Sequence, residues 1–382
     1  MVLMPILLLR QKLDRRCNRL QVSFWISLQM LAHGSVRRIV QGMGDAGLQG
    51  TRQGAARLAD VARLAGVSVA TVSRALSRPD LVSPDTRDAV QQAIAATGYR
   101  MNHAARNLRK GRTGAVVALV PNLGNPFFAK ILAGMGAALN AQGYDLLVGD
   151  TLAPGGRHRA LRRFLDPSRA DGIILLDGQV TADDLAALPG APPLVMACEW
   201  IEGAPLPRVV LDNAAGTELA ARHLLALGHR RIGWIGGPED NVLHQARIAG
   251  LARVLPDPGP GYDGDFTLES GVSAAERWLD TRAADRPTAV IGFSDESAAG
   301  FMGELQRRGV SVPEQVSVVG FDGIDWVAHL PVPLSTVRQP KRDLGSAAAR
   351  ILMALIAGQP VASSTVLEPQ LVLRKSSGPA PA

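Results

Sequence analysis

The stretch LADVARLAGVSVATVSRAL, residues 58–76, reads as two short helices joined by a tight turn. Leu58, Val61, Ala62 and Ala65 recur at helical spacing and give the first helix one apolar face. Gly66 follows the last periodic residue, where a left-handed backbone stops a helix. Ser68 is placed to cap the next helix by accepting from its orphan N–H groups. Val72 and Leu76 stand at i and i+4 and face inward, which leaves Val69, Ala70, Ser73 and Arg74 outside. This is the pattern of a helix-turn-helix, whose second helix enters the major groove and presents residues near its start to base edges. An ordinary αα-hairpin inside a larger core has the same spacing, so the surrounding sequence must decide.

The next segment, residues 77–100, predicts a third helix. Ser83 is a suitable N-cap, Pro84 fits the first helical position and Asp85 favours the positive end of the helix dipole. Ala89, Val90, Ala93, Ile94 and Thr97 form one face, and Gly98 ends the helix. Three helices in so short a span make a headpiece with a thin core, steadied by a partner. Residues 102–112, NHAARNLRKGR, are too short for a stable isolated helix but long enough to order on a partner. They read either as a solvated linker or as a hinge helix that folds in the minor groove with Leu108 as an apolar wedge.

Charge is distributed to match. The 382 residues carry a net charge of +7. Residues 57–112 hold ten Lys and Arg against four acids, residues 1–56 hold eight against two, and the remainder is mildly acidic. A basic head on an acidic body suits a polyanionic partner for the head alone. The two cysteines, Cys17 and Cys198, supply neither a disulfide framework nor a metal-ligand spacing, which points to a reducing compartment and a cytoplasmic protein.

Residues 1–55 show no periodicity. Their apolar runs, 1–9 and 22–32, fall short of the roughly 20 residues that span a bilayer. A start assigned too early is the preferred reading, with Met30 and Met43 as later starts. A flexible basic arm and a targeting segment are the alternatives.

From Thr113 short apolar runs alternate with amphipathic helical patterns. Residues 115–121, 146–150, 172–176, 193–197 and 208–212 predict buried strands, followed by 232–237, 289–295, 316–322 and 335–340. A last strand is expected over VLEPQLVL, residues 366–373, before a disordered tail. Such alternation means parallel sheets with helices on both faces, here in two lobes with a cleft at the carboxyl ends of the strands. The expected fold is therefore α+β and multidomain: an extension (1–56), a three-helix helix-turn-helix headpiece (57–101), a hinge (102–112), a two-lobed α/β core like that of periplasmic binding proteins (113–376) and a disordered tail (377–382).

DVARLAGVSVATVSRAL, VSPDTRDAV, NPFFAKILAGM, GHRRIGWIGGP, SDESAAG and PLSTVRQP occur in the order and spacing of the LacI/GalR family of transcription regulators, which the chain resembles from Leu58 onward. VMACEW, GPEDNVLHQARIAG and GDFTLESG are most similar to its cytidine-repressor branch, with the purine-repressor branch a near neighbour. The resemblance implies a homodimer, or a tetramer built from dimers, on a pseudo-palindromic double-stranded operator. It assigns base reading to Val69, Ala70 and Arg74. Ser68, Thr71 and Ser73 suit phosphate contacts, and Asn102, Arg106 and Leu108 fall in the hinge. One departure is Met101, where the family usually has proline before the hinge asparagine; it loosens entry to the hinge helix.

The resemblance also implies an effector site between the lobes, lined by Asn125, Phe127 and Phe128 from the first and Asn241, Arg247, Phe266, Asp295 and Asp322 from the second. Phe128 and Phe266 could sandwich a flat ring, while Arg247 and Asp322 offer a donor fork and an acceptor pair. Each has a structural alternative: the phenylalanines as core, Asp295 and Asp322 as helix caps. Leu243 cannot hydrogen-bond where the purine branch does, which argues against a purine corepressor; the expected effector is a nucleoside such as cytidine, with a sugar- or purine-responsive regulator of the same family as the alternative. No cofactor or metal is expected. An enzyme is disfavoured by the lack of phosphate-loop, nucleophile-elbow and metal motifs. A periplasmic solute-binding protein would need a signal peptide, and membrane association is not expected.

Overall fold

A computed structural model describes residues 56–100, 111–154, 156–187, 190–256 and 259–381, which fall into two compact units divided at Asn102. The hinge residues Asn102, Arg106 and Leu108, with Met101 and the first 55 residues, lie outside the described residues.

The first unit is a three-helix headpiece: α1 (Leu58–Leu64), α2 (Val69–Ser77) and α3 (Pro84–Thr97). Its core is Val61, Ala62, Val72, Ala75, Val90 and Ala93, with Leu58, Leu76 and Ile94 packed around it. Gly66 takes the left-handed conformation, φ +67°, that turns α1 into α2. Ser68 Oγ accepts from the Thr71 N–H at 3.0 Å and opens α2. Ser83 caps α3 with Pro84 behind it, and left-handed Gly98 closes it. The turn from α1 into α2 and both ends of α3 are set by local chemistry, as the sequence predicts.

The second unit has two sheets, parallel throughout except for one antiparallel edge strand. The first is built from β1 (Ala115–Val120), β2 (Asp145–Asp150), β3 (Gly172–Leu175), β4 (Leu194–Ala197) and β5 (Arg208–Leu211), edged by β11 (Ser364–Leu367) in the order β11-β5-β4-β3-β1-β2. The second joins β6 (Ile232–Ile235), β7 (Gly261–Tyr262), β8 (Ala289–Gly292), β9 (Ser317–Asp322), β10 (Ser335–Arg338) and β12 (Gln370–Val372) in the order β12-β10-β9-β8-β6-β7. Helices α4 (Phe127–Asn140), α5 (Gly156–Phe164) and α6 (Ala182–Ala186) belong to the first lobe. Helices α7 (Asn213–Ala226), α8 (Val242–Ala252), α9 (Leu268–Asp280) and α10 (Asp295–Arg307) belong to the second. The last helix, α11 (Lys341–Ile356), returns to pack on α4. Strand runs such as Val116–Val120 and Ala289–Ile291 are fully buried, because helices cover both faces.

Two expectations are corrected. The single strand over 366–373 is two strands in different sheets: β11 pairs in parallel with β5, and β12 runs antiparallel to β10. Pro369 stands between them and lacks the N–H that a continuous ladder needs. The tail is ordered over its described residues, 376–381. Ser376 is fully buried, its Oγ donates to the Val318 carbonyl at 2.6 Å, and its carbonyl accepts from the Val318 N–H at 2.7 Å. His229 Nε2 meets the Gly378 carbonyl at 3.0 Å, and the Ala380 N–H donates to the Leu227 carbonyl. Small polar residues fit a narrow seam where bulkier ones would not, and the seam supplies backbone partners.

Candidate functional site

In the headpiece, Val69, Ala70, Ser73 and Arg74 are exposed on one side of α2, and Val69 retains 45% exposure. Ser68 and Thr71 hydroxyls pair with each other at 2.9 Å, so part of their capacity is committed to the cap. The surface offers two small apolar groups and one guanidinium free of ion pairs among the described residues.

In the second unit a cavity of about 330 Å³ opens between the lobes at the carboxyl ends of β1, β3, β4, β8 and β9. Ligands bind at this edge of open α/β sheets. The structure brings Asn125, Phe127, Phe128, Asn241, Arg247, Phe266 and Asp322 to its wall. Asn125 Oδ1 accepts from the Phe127 N–H at 2.8 Å and starts α4 there, so both phenylalanine rings are presented at the helix start. Gly237 leaves room for Phe266, whose ring a Cβ at that position would meet at 2.0 Å.

Asp295 is the exception. Ser294 caps α10, and Asp295, one residue on, is fully buried away from the cavity. Its Oδ2 accepts from the Ile324 N–H at 2.6 Å and its Oδ1 from the Thr336 hydroxyl at 2.5 Å. It therefore organises the loop behind the cavity instead of facing a ligand. Burial holds its carboxyl above the usual range.

Arg247 faces the cavity and is also a structural hub. Only 2% exposed, it donates from Nε to Asn213 Oδ1 at 3.0 Å and from Nη1 to the Phe293 carbonyl. Its guanidinium lies 3.8 Å from the Phe321 ring centroid. Burial lowers its pKa to about 10, against the pull of Asp322 and Glu199. Asn241 is likewise engaged: its Oδ1 accepts from the Leu243 and His244 N–H groups, and its Nδ2 donates to Glu199 Oε1 at 3.3 Å.

Glu199 was not among the expected site residues. It follows β4, accepts from the Gly178 N–H at 2.6 Å and meets Asn241 across the cleft. Burial holds its carboxyl above the ordinary range. Asp177, Asp265 and Glu296 complete an acid-rich lining, with Arg157 paired to Asp177 at 2.7 Å. The position of Glu199 directly after an apolar strand was the available signal. A second signal lies in the backbone. Among the described residues, the non-glycines with positive φ are Asn122, Cys198, Phe266 and Asp322, and all four line this cavity. Such conformations cost roughly 1–3 kcal/mol each and concentrate at functional sites.

A helix-turn-helix with an exposed second helix in one unit and a two-lobed α/β core in the other are the parts of a DNA-binding regulator of the binding-protein-core type. A model of bacterial regulatory proteins, lacI family, matches residues 57–102, and one of a periplasmic binding protein-like domain matches residues 221–377. The chain belongs to the LacI family of DNA-binding transcription regulators. The HTH-type transcriptional repressor CytR of Escherichia coli is 35% identical over 331 residues, covering 85% of this chain and 96% of that one. The Lac repressor dimer bound to operator and the anti-inducer ONPF is 27% identical, with TM-score 0.75 over 85% of this chain and all of that one. A complex of the transcriptional regulator CelR with cellobiose is 33% identical, with TM-score 0.62 over 84% and 99% of the two chains. The functional class is thus regulation, not catalysis. Among the described residues no helix is long and apolar enough to cross a membrane, and no cluster of His, Cys, Asp and Glu could hold a metal ion.

Proposed function

We propose that this protein is a cytoplasmic repressor that acts as a dimer on a pseudo-palindromic operator and is controlled by a nucleoside held between the lobes. Support for effector control comes chiefly from one observation: four non-glycine residues with left-handed backbones surround the interlobe cavity. A fold stabilised only by packing has no need to hold strain there. The volume falls at the lower end of the roughly 300–1,000 Å³ of small-molecule sites. Phe127, Phe128 and Phe266 supply aromatic surface for a base, and the carboxylates supply acceptors for ribose hydroxyls or an exocyclic amine. The purine reading is disfavoured by Leu243, which lines the cavity with an apolar side chain.

In this reading Arg74 recognises guanine by a bidentate contact, while Val69 and Ala70 pack on base methyl groups. Residues 102–112 form the hinge, with Leu108 wedged in the minor groove. An effector that binds the open and closed arrangements of the lobes unequally shifts operator affinity by that difference. The acid-rich lining favours a second reading, a sugar effector, since carboxylates also bind sugar hydroxyls; the cellobiose in the CelR complex is in keeping with it. A melting-temperature screen of cytidine, other nucleosides, free bases, cellobiose and monosaccharides separates the two. Each hit is then tested for its effect on binding to DNA that the protein selects from a random pool. Nucleosides that raise the melting temperature and change DNA affinity support the proposal. Stabilisation by sugars alone refutes the nucleoside assignment.

A further inference from the structure

Behind the turn formed by Asp322, Gly323 and Ile324 lies a second cavity of about 530 Å³. Asp322 faces the effector cleft on one side, and Gly323 and Ile324 line this second space on the other. Five basic side chains stand around it, Lys130 from α4 together with Arg338, Lys341, Arg342 and Arg374, against Asp325 and Asp343. Lys130 is paired with Asp325 at 2.5 Å. Lys341, only 5% exposed, donates to the carbonyls of Asp322 and Gly323, the latter at 2.7 Å. Arg374 donates to the Leu334 carbonyl. The guanidinium groups of Arg338 and Arg342 have no hydrogen-bond or ion-pair partner among the described residues. Five cations against two carboxylates leave this concave wall net positive, and free guanidinium forks match phosphate oxygens.

We propose that this cavity is a second ligand site, for a small phosphate-bearing anion, and that it is linked to the effector cleft through the Asp322–Gly323 segment. The anion meets the free Arg338 and Arg342 groups and competes with Asp325 for Lys130. Duplex DNA is too broad to enter a space of this size, so the ligand is inorganic phosphate or a small phosphorylated metabolite. Lys341 grips the carbonyls of the segment that carries the cleft carboxylate, so the two sites share one structural element. Linkage is reciprocal: whatever phosphate does to cleft affinity, the cleft ligand does to phosphate affinity. The anion site stands on the cavity and its charges alone; the linkage rests on the cleft being an effector site.

Equilibrium dialysis of the full chain against radiolabelled inorganic phosphate, without DNA, tests the site directly. The expected result is about one equivalent bound per chain, weakened at least about tenfold in Arg338→Ala/Arg342→Ala. Both residues are exposed, and circular dichroism checks that the fold is kept. Arg74→Ala controls for binding to the headpiece and is expected to leave the equivalent in place. Displacement by ribose 5-phosphate at lower concentration than by unlabelled phosphate marks a metabolite as the ligand; the reverse marks the free ion. No saturable binding, equal binding by the double variant, or loss in Arg74→Ala would overturn the site. If a nucleoside or sugar identified in the melting screen leaves phosphate affinity unchanged, the linkage is overturned while the anion site stands.

Discussion

Replacing Arg247 by alanine should cost the core about 2–4 kcal/mol, before any effect on a ligand. The side chain holds two buried acceptors, Asn213 Oδ1 and the Phe293 carbonyl, and covers Phe321. Leaving a buried acceptor unpaired costs about 1–3 kcal/mol, and a desolvated cation–π contact is worth about 2 kcal/mol. Two offsets reduce the sum. The space vacated joins the interlobe cavity, so water can reach at least one acceptor. Removing a guanidinium whose burial is itself unfavourable also returns part of the loss. Domain stabilities of about 5–15 kcal/mol leave the variant folded at room temperature, with a melting temperature lower by roughly 5–10 °C. The assay is urea and thermal unfolding of Arg247→Ala, Asn213→Ala and the double variant, without ligand. Because the two residues share one bond, the double loss should be smaller than the sum of the singles. A single variant within about 1 °C of the parent, or strict additivity, would refute the hub and return Arg247 to a purely ligand-facing role.

Arg74→Ala should lower operator affinity about 5- to 150-fold, the worth of one bidentate base contact, while salt-sensitive non-specific binding changes little; equal loss of both in a mobility-shift titration contradicts the assignment. Leu108→Ala should reduce operator bending, measured by circular permutation of the site, and unchanged bending removes the wedge. Truncation before Ser376 removes the partners of the Val318 N–H, the Val318 carbonyl and the Ser335 N–H, a loss of about 3–6 kcal/mol, so the truncated core should melt well below the parent in a thermal scan. Burial lowers the His229 pKa, so the native residue stays neutral where the unfolded chain takes up a proton. Its contribution is present above the ordinary value of 6.5 and is lost as pH falls toward the lowered native pKa. His229→Gln should therefore lose less stability than the parent between pH 7.5 and 5.5, and an identical loss in both rules out the contribution.

The headpiece was legible because its boundaries are chemical and local. Gly66, Ser68, Ser83, Pro84 and Gly98 each act within a few residues of themselves, and the apolar spacing of α1–α3 leaves one way to close the core. The split at Pro369 was not legible, since an apolar run states that a strand exists and not which sheet receives it. The order of the tail was hidden for the same reason: Ser376 gains its partners from β9 and the start of β10, far away in sequence. At the cleft, aromatic and charged residues at strand ends and helix starts were recognisable by type. Whether a given carboxylate faces the cavity was not. Ser294 and Asp295 are adjacent, and only the approach of Ile324 and Thr336 turns Asp295 inward. The left-handed backbones of Cys198, Phe266 and Asp322 leave no trace in residue type, because tertiary packing imposes them.

In the proposed reading, a ligand in the cleft acts on the rest of the molecule where the chain changes lobes. It crosses at Asp212, between β5 and α7; at Gln339 and Pro340, between β10 and α11; and at Glu368 and Pro369, between β11 and β12. Rotation of one lobe against the other must be taken up at these three places. Asp322 is bonded to the second crossover and to the residue that follows it. Its Oδ1 accepts from Gln339 Nε2 at 2.7 Å, and its carbonyl accepts from Lys341. The cleft carboxylate is thus clamped to an interlobe crossover, and its left-handed backbone, φ 119°, keeps it there at a cost. A ligand that draws on the Asp322 carboxyl competes with Gln339 for it, and so acts on the crossover with no intermediate element. Glu199 and Asn241 span the opposite wall by a direct hydrogen bond between lobes. A ligand that replaces that bond while loosening the Gln339 contact would release both at once. One that engages Asp322 without disturbing Glu199 would hold the lobes as they are. In the proposed reading, the bond that an effector replaces decides whether it relieves or enforces repression. Asn241→Ala and Gln339→Ala, each assayed for operator affinity with and without the ligand, separate the two cases.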